Sequence, residues 1–288
     1  MRRLCAILSS LAGGLCVVNA ATTINATNSF SYGANFGWMN WRGNTNAGAV
    51  IGDFVCSGYI YAANLGWVSL GGGSPTNGIQ YQNLAAGDYG VNHDGVGNLR
   101  GYAYGANFGW INFENIGAPK VDLKTGRFSG SIYSANCGWI SLSNAFAQVQ
   151  TDSFASGVDT DGDGIADAFE LTWFGNLSTA NAVTDFDGDG MSDLAESLAG
   201  TNPTDPNSLL AITSFTTAPG GVMATLVWKS VLSRCYRIEK TLDLVPAAWV
   251  DSGLGLLPPG GVTTSATFAD TNAPTRFYRV RAVKPLLP

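Results

Sequence analysis

The sequence predicts a mainly β chain in three parts: a duplicated antiparallel β domain, a small acidic module with two short helices, and a C-terminal β-sandwich. Three observations predict it. One ten-residue pattern occurs four times, as YGANFGWMNW, YAANLGWVSL, YGANFGWINF and YSANCGWISL. Twelve acids and no base lie between residues 151 and 209, the flanking bases being Arg127 and Lys229. Alternating apolar runs return after residue 209.

The first element, residues 1–20, reads as a secretory signal. Arg2 and Arg3 precede an apolar run from Cys5 to Val18, and Asn19, Ala20 and Ala21 are small enough for cleavage. The run is too short to span a bilayer, and no later stretch approaches the ~20 apolar residues a spanning helix needs. The expectation is therefore a secreted protein, extracellular or periplasmic, released with no anchor of its own. Lipidation at Cys16 is the alternative, with Leu15 where a small residue is usual. Three cysteines follow the signal, Cys56, Cys137 and Cys235. An odd number argues against a disulfide framework, which leaves a Cys56–Cys137 bridge as the alternative to free buried thiols.

The second element spans residues 21–152. Its repeats begin at Tyr32, Tyr61, Tyr104 and Tyr133, so two pairs separated by 29 residues are offset by 72. That is a duplicated unit. Each repeat reads as strand, Ala-Asn-x-Gly turn and strand, and Gly37, Gly66, Gly109 and Gly138 suit the φ > 0 position of a tight hairpin. An antiparallel meander follows, folded as a sandwich or a flattened barrel. Along each second strand the side chains alternate. Met39 and Trp41, Val68 and Leu70, Ile111 and Phe113, or Ile140 and Leu142 form a core face. Trp38, Trp67, Trp110 and Trp139 lie on the other face beside Asn40, Ser69, Asn112 and Ser141. That second face is either a stacking platform for sugars or a packing partner for the tyrosines. The polar neighbours vary between copies, so the expectation is scaffold, with the four tryptophans largely buried against their own tyrosines.

The third element, residues 153–208, carries the chemistry. DTDGDGIADAFE (159–170) and DFDGDGMSDLAE (185–196) both fit D-x-[DN]-x-[DN]-G-x5-E in full. A calcium ion takes six to eight oxygens, and this spacing supplies them in order. In the first loop these are Asp159, Asp161, Asp163, the Ile165 carbonyl, Asp167 directly or through water, and Glu170 with two. In the second they are Asp185, Asp187, Asp189, the Met191 carbonyl, Asp193 and Glu196. Gly164 and Gly190 permit the bend. Two structural Ca2+ ions are expected. An acidic solvated linker is the plain alternative, but five carboxylates converging without a cation repel one another. A short helix follows each loop, with Ile165, Phe169 and Trp173 on one face of the first and Met191, Leu194, Ala195 and Leu198 on one face of the second. These faces are expected to pack together. No helical period precedes either loop, so each is a half EF-hand. The layout resembles thrombospondin type 3 repeats and dockerins. The trailing AGTNPTDPNS is similar to thrombospondin-type repeats of bacterial surface proteins, and Glu170 and Glu196 stand where dockerins usually carry Asp. The resemblance covers roughly residues 157–208 and implies a calcium-binding, extracellular role.

The last element, residues 209–288, shows VMATLVWKS, RCYRIEKT, TSATFAD and RFYRVRAV between Pro and Gly turns. Val222, Ala224, Leu226 and Trp228 share a face, as do Tyr236 with Ile238 and Tyr278 with Val280. RFYRVRAV resembles a strand of fibronectin type III domains, which implies a fibronectin- or immunoglobulin-like sandwich.

Catalysis has little to stand on. The single histidine, His93, lies in a Gly-rich loop, and the repeat domain offers only Asp53, Asp88, Asp94, Glu114 and Asp122, none at matching positions of the repeats. There is no phosphate-binding loop, and a net charge of -6 is wrong for nucleic acid. The sequence reads as a secreted, modular, calcium-binding structural or adhesive protein of a surface or matrix, not an enzyme. Carbohydrate binding by the Tyr/Trp repeats is the alternative. The partners would be extracellular polysaccharide or other surface proteins, and an exposed row of tryptophans would favour the alternative.

Overall fold

A computed structural model describes residues 22–43, 46–218, 222–270 and 276–286. The expected signal, residues 1–20, lies outside the described residues. The described residues are mainly β, with several sheets and two short α-helices.

Each repeat forms one hairpin: Ile24–Gly33 with Gly37–Asn40, Cys56–Ala62 with Gly66–Gly72, Leu99–Gly105 with Gly109–Asn112, and Ser131–Ser134 with Gly138–Ser141. The turn glycines sit at φ 95°, 85°, 67° and 81°, a region that a Cβ disfavours. Within each hairpin the tyrosine lies directly opposite the tryptophan, Tyr32 facing Trp38, Tyr61 Trp67, Tyr104 Trp110 and Tyr133 Trp139. Between hairpins one step of register recurs. Tyr61 pairs with Asn40, Tyr104 with Ser69, Tyr133 with Asn112, and Tyr32 with Ser141. The last of these joins the fourth hairpin to the first, so the eight strands close into an antiparallel barrel and their edges disappear into one another.

The barrel interior takes the expected core face. Met39, Trp41, Ile60, Val68, Leu70, Ile111, Phe113, Ile132, Ile140 and Leu142 are fully buried. Trp41 stacks edge-on to Phe113 (6.3 Å) and Phe128 (5.3 Å), and its indole N–H donates to Ser31 Oγ at 2.9 Å. At the turn end, Phe36 and Phe108 from opposite hairpins meet edge to face at 5.1 Å and plug the barrel. Above this plug the repeat asparagines form a ring. Asn64 Nδ2 donates to the Phe36 carbonyl (2.8 Å), Asn107 to Leu65 (3.0 Å), Asn136 to Phe108 (3.2 Å) and Asn35 to Cys137 (3.0 Å). Every hairpin thus grips the one before it. Cys56, Cys137 and Cys235 are free and buried, so the Cys56–Cys137 bridge does not form. Burial pushes the Cys56 thiol up to about 12, which leaves it inert.

The expectation of buried repeat tryptophans is overturned. Trp38, Trp67, Trp110 and Trp139 are 47, 47, 47 and 48 % exposed. Each does lean on its own tyrosine, at 5.2, 4.7, 4.9 and 5.1 Å between ring centres. The reason is the closed barrel: its interior is already filled by the opposite face, and the Trp face points outwards with no second layer over it. The polar neighbours belong to local turns. Asn40 Oδ1 accepts from the Arg42 N–H (2.9 Å), Asn112 Oδ1 from Glu114 (2.6 Å) and Ser69 Oγ from Gly71 (3.2 Å), while Ser141 Oγ donates to the Ser143 carbonyl (2.9 Å).

Towards the C-terminus, Ile212–Thr217, Met223–Lys229 and Thr263–Ala269 form one sheet, and Val250–Asp251, Cys235–Thr241 and Phe277–Val283 another. Ala224, Leu226, Trp228, Tyr236, Ile238 and Phe268 fill the space between them. Val222, expected on the same face, is exposed.

Candidate metal centre

Two loops with the same wiring lie between barrel and sandwich. In the first, Asp159 Oδ1 and Oδ2 accept from the N–H groups of Gly162 (2.8 Å) and Gly164 (3.0 Å), and Asp163 Oδ1 accepts from Ile165 (2.8 Å). In the second, Asp185 binds Gly188 (2.8 Å) and Gly190 (3.0 Å), and Asp189 binds Met191 (2.7 Å). Gly164 and Gly190 adopt φ 95° and 96°, the bend expected of them. The loops lead into α1 (Asp167–Trp173) and α2 (Asp193–Ala199). Ser192 caps α2 at its start, and Gly200, in the left-handed conformation, ends it.

Of the residues read from the sequence, Asp159, Asp161 and Asp163 come together, as do Asp185, Asp187 and Asp189. Ile165 is buried and Met191 half-buried at the inner side of their loops. Asp167 and Asp193 are used differently from the rest. Asp167 accepts the Thr160 N–H (2.7 Å) and hydroxyl (2.5 Å), and Asp193 accepts the Phe186 N–H (3.1 Å) and the Thr184 hydroxyl (2.5 Å). Both brace the loop. Thr160 and Thr184 were not singled out in the sequence, where a threonine beside an aspartate carries no signal.

Glu170 and Glu196 decide whether this set fits a cation. Both side chains are fully buried, and Glu170 has neither oxygen partnered. Glu196 Oε1 accepts from the Thr201 hydroxyl at 3.0 Å, while Oε2 has no partner. Asp163, Asp187 and Asp189 each bury one further unpartnered oxygen. Burial, with Asp163 and Asp161 close by, pushes the Glu170 carboxyl up to about 7. Burial also takes Glu196 to about 7, against the opposing hydrogen bond from Thr201. Buried carboxylates without partners are costly by several kcal/mol, and a hard divalent cation ligated by these oxygens removes the cost. The donor set therefore fits calcium.

The two half-modules meet through Phe174 at the end of α1, whose ring centre lies 5.2 Å from that of Phe186 in the second loop, and through Leu194 of α2, which a Cβ on Gly164 would meet at 3.5 Å. Trp173 and Leu198 remain more than a third exposed, and α2 lies against the strand Phe277–Val283. Its C-terminal carbonyls are taken by a residue of the sandwich: Arg234 donates to Leu198 (2.7 Å) and Ser197 (2.8 Å). Lys284, also from the sandwich, reaches Asp53 of the barrel at 3.4 Å, and Leu286 packs on the barrel core. Sequence reasoning missed Arg234 because its partners are 36 residues or more away.

The other barrel carboxylates shape loops. Asp88 accepts from Thr76 and Gln82, Asp94 from Val96 and Asn98, Asp122 from Lys124 and Thr125, and Glu114 from Gly101. His93 is buried against Phe154, its Nδ1 lies 3.1 Å from the Gly52 carbonyl, and Nε2 has no partner. Burial holds its pKa below the usual histidine value.

Residues 159–172 and 185–206 match the bacterial TSP3 repeat, the thrombospondin type 3 family. Repeats of this kind bind calcium and occur in extracellular bacterial proteins. No curated protein and no solved structure matches the chain. Among the described residues no helix is long and apolar enough to cross a membrane.

Proposed function

We propose that the chain is a secreted, non-enzymatic, calcium-binding protein of a bacterial surface or matrix, in which two ions stiffen the joint between barrel and sandwich. The observation that carries this reading is the pair of buried glutamates, Glu170 and Glu196, each with unpartnered oxygen beside a triad of aspartates. One ion per loop satisfies both. Because Glu196 sits in α2 and Arg234 holds the end of that helix, ordering the second loop also orders its contact with the sandwich. The barrel carboxylates spent on loop geometry support a role without catalysis. The test is calorimetric titration of calcium into chelated protein, with small-angle scattering of both states. The reading expects two sites per chain and a more extended, looser particle after chelation. No calcium uptake, or scattering and melting curves unmoved by chelator, would sink it.

A second reading is favoured by one observation. The four half-exposed tryptophans, each braced by a tyrosine, make the barrel a binder of extracellular polysaccharide. Retention of the protein on immobilised neutral polysaccharide, and its release by soluble oligosaccharide, tests that reading.

A further inference from the structure

The four tryptophans have equal exposure and unequal surroundings. Alongside Trp67 and Trp139 runs a glycine turn: a Cβ on Gly43 would lie 3.4 Å from Trp67 Cζ3, and one on Gly117 would lie 3.0 Å from Trp139 Cζ3. Backbone fills the space there. At Trp38 and Trp110 the neighbouring loop stands off instead and leaves a groove. The groove at Trp38, about 500 Å3, is walled by Phe30, Asn28, Asn144 and Phe146; the one at Trp110, about 430 Å3, by Tyr102, Tyr89, Asn83 and Leu84. Trp38 and Trp110 are 72 residues apart, as are Phe30 and Tyr102, so the duplication supplies the aromatic pair of each groove, and different loops supply the remaining walls.

Resting on the polysaccharide reading, we propose that the barrel carries two grooves for uncharged sugars, built on the duplicated pairs at Trp38 and at Trp110, and that Trp67 and Trp139 carry none. The chemistry selects the occupant. No charged side chain lines either groove, so an anionic or cationic polymer gains nothing there. The indole offers a flat face of pyranose size, held upright by edge contacts, Phe30 at 6.0 Å from Trp38 and Tyr89 at 5.2 Å from Trp110. At Trp38, Asn28 Nδ2 donates to Gln150 and Asn144 Oδ1 accepts from the Phe146 and Ala147 N–H groups, which leaves Asn28 Oδ1 and Asn144 Nδ2 to border that face. At Trp110, Asn83 is held by Tyr81 and Gly90 and borders the face as a brace. An apolar face rimmed by neutral amides complements a sugar, which is apolar on its C–H face and hydroxylated at its edge. The loop tips, Phe146 and Leu84, are each 89 % exposed and pack on nothing that would fix them as core. They flank the far side of each groove.

The experiment uses the full chain in calcium, with neutral hexasaccharides of β-linked glucose, mannose, xylose and N-acetylglucosamine as probes for calorimetry, and the matching polymers for retention. The expected result is two sites per chain for one of these probes. Trp38→Ala or Trp110→Ala each halves the stoichiometry and lowers polymer retention about tenfold or more, because two linked sites bind far more tightly than one. The double variant abolishes both. Trp67→Ala and Trp139→Ala leave binding within about twofold. Phe146→Ala and Leu84→Ala, at tips where folding is not at stake, weaken one site each and serve where a tryptophan variant melts early. Binding that disappears with Trp67 or Trp139, or that shows one site indifferent to Trp38 and Trp110, overturns the groove assignment and leaves the polysaccharide reading standing. No binding of any neutral probe overturns both, and self-association lost with Trp38 and Trp110 assigns the grooves to a second copy of the chain.

Discussion

The barrel and the calcium module hold together by opposite means. The barrel buries one continuous apolar cluster, from Ile24 to Phe154, and its strand edges are used up by closure. The module has two helices of seven residues and buries carboxylates at the positions where the barrel buries isoleucine and phenylalanine. Its apolar burial is small, Ile165 with a few alanines. One region has its cohesion written into apolar side chains, and the other buries carboxylate oxygens that a bound cation would satisfy. The difference teaches that neighbouring parts of one polypeptide can rest on different interactions, apolar burial in one and clustered carboxylates in the other.

The largest expected effect breaks the barrel alone. Trp41→Ala removes a fully buried ring from contact with Phe113 and Phe128, and costs on the order of 3 to 5 kcal/mol. Urea unfolding followed by far-ultraviolet circular dichroism measures it, and chelator leaves the loss unchanged. If chelator alters it, the two regions are one cooperative unit. Next comes the module. At calcium a hundredfold above Kd, removing the ion costs about 2.7 kcal/mol per site. A calorimetric scan is expected to lose its module transition and keep that of the barrel. Glu170→Gln and Glu196→Gln should each take away one ion, read by direct titration.

A third comparison sharpens the exposure of the aromatic belt. Trp110→Ala is expected to cost less than Trp41→Ala, since the ring is half exposed and loses about 0.5 to 1.5 kcal/mol per aromatic pair beyond its smaller burial, and acrylamide should quench the repeat tryptophans more readily than Trp41 and Trp228. A loss as large as that of Trp41→Ala would put the ring back in the core. The smallest effect belongs to His93. Its folded form is held neutral by burial, so its pKa lies below the unfolded value of about 6.5. Above that pH neither state takes the proton and nothing changes. As pH falls below about 6.5 the unfolded chain binds a proton that the folded one refuses, and stability declines. The difference between wild type and His93→Gln, followed from pH 7 to 5, isolates this contribution from the acids of the module.

Local signals made parts of both regions legible. The turn glycines, the core alternation from Met39 to Leu142 and the two acidic loops all depend on neighbours within a dozen residues, and they stand where the sequence put them. What the sequence could not carry was set between hairpins. Closure follows from pairs such as Tyr61 with Asn40 and Tyr32 with Ser141, and no spacing within a repeat encodes them. The tryptophans were misplaced for the same reason: alternation separates two faces, but with apolar residues on both, only closure says which is inside. In the module the triads were plain, whereas the bracing of Asp167 by Thr160 and of Asp193 by Thr184, and the reach of Arg234 across to α2, needed three dimensions.

The asparagine ring has an arithmetic of its own. Each hairpin gives one side-chain bond to its predecessor and receives one from its successor, so the series has neither a first member nor a last. Three hairpins, or two, leave a donor and an acceptor stranded at the seam. A single 72-residue unit is therefore half of a closed figure, complete only when it meets another like itself. The present chain supplies both halves in tandem.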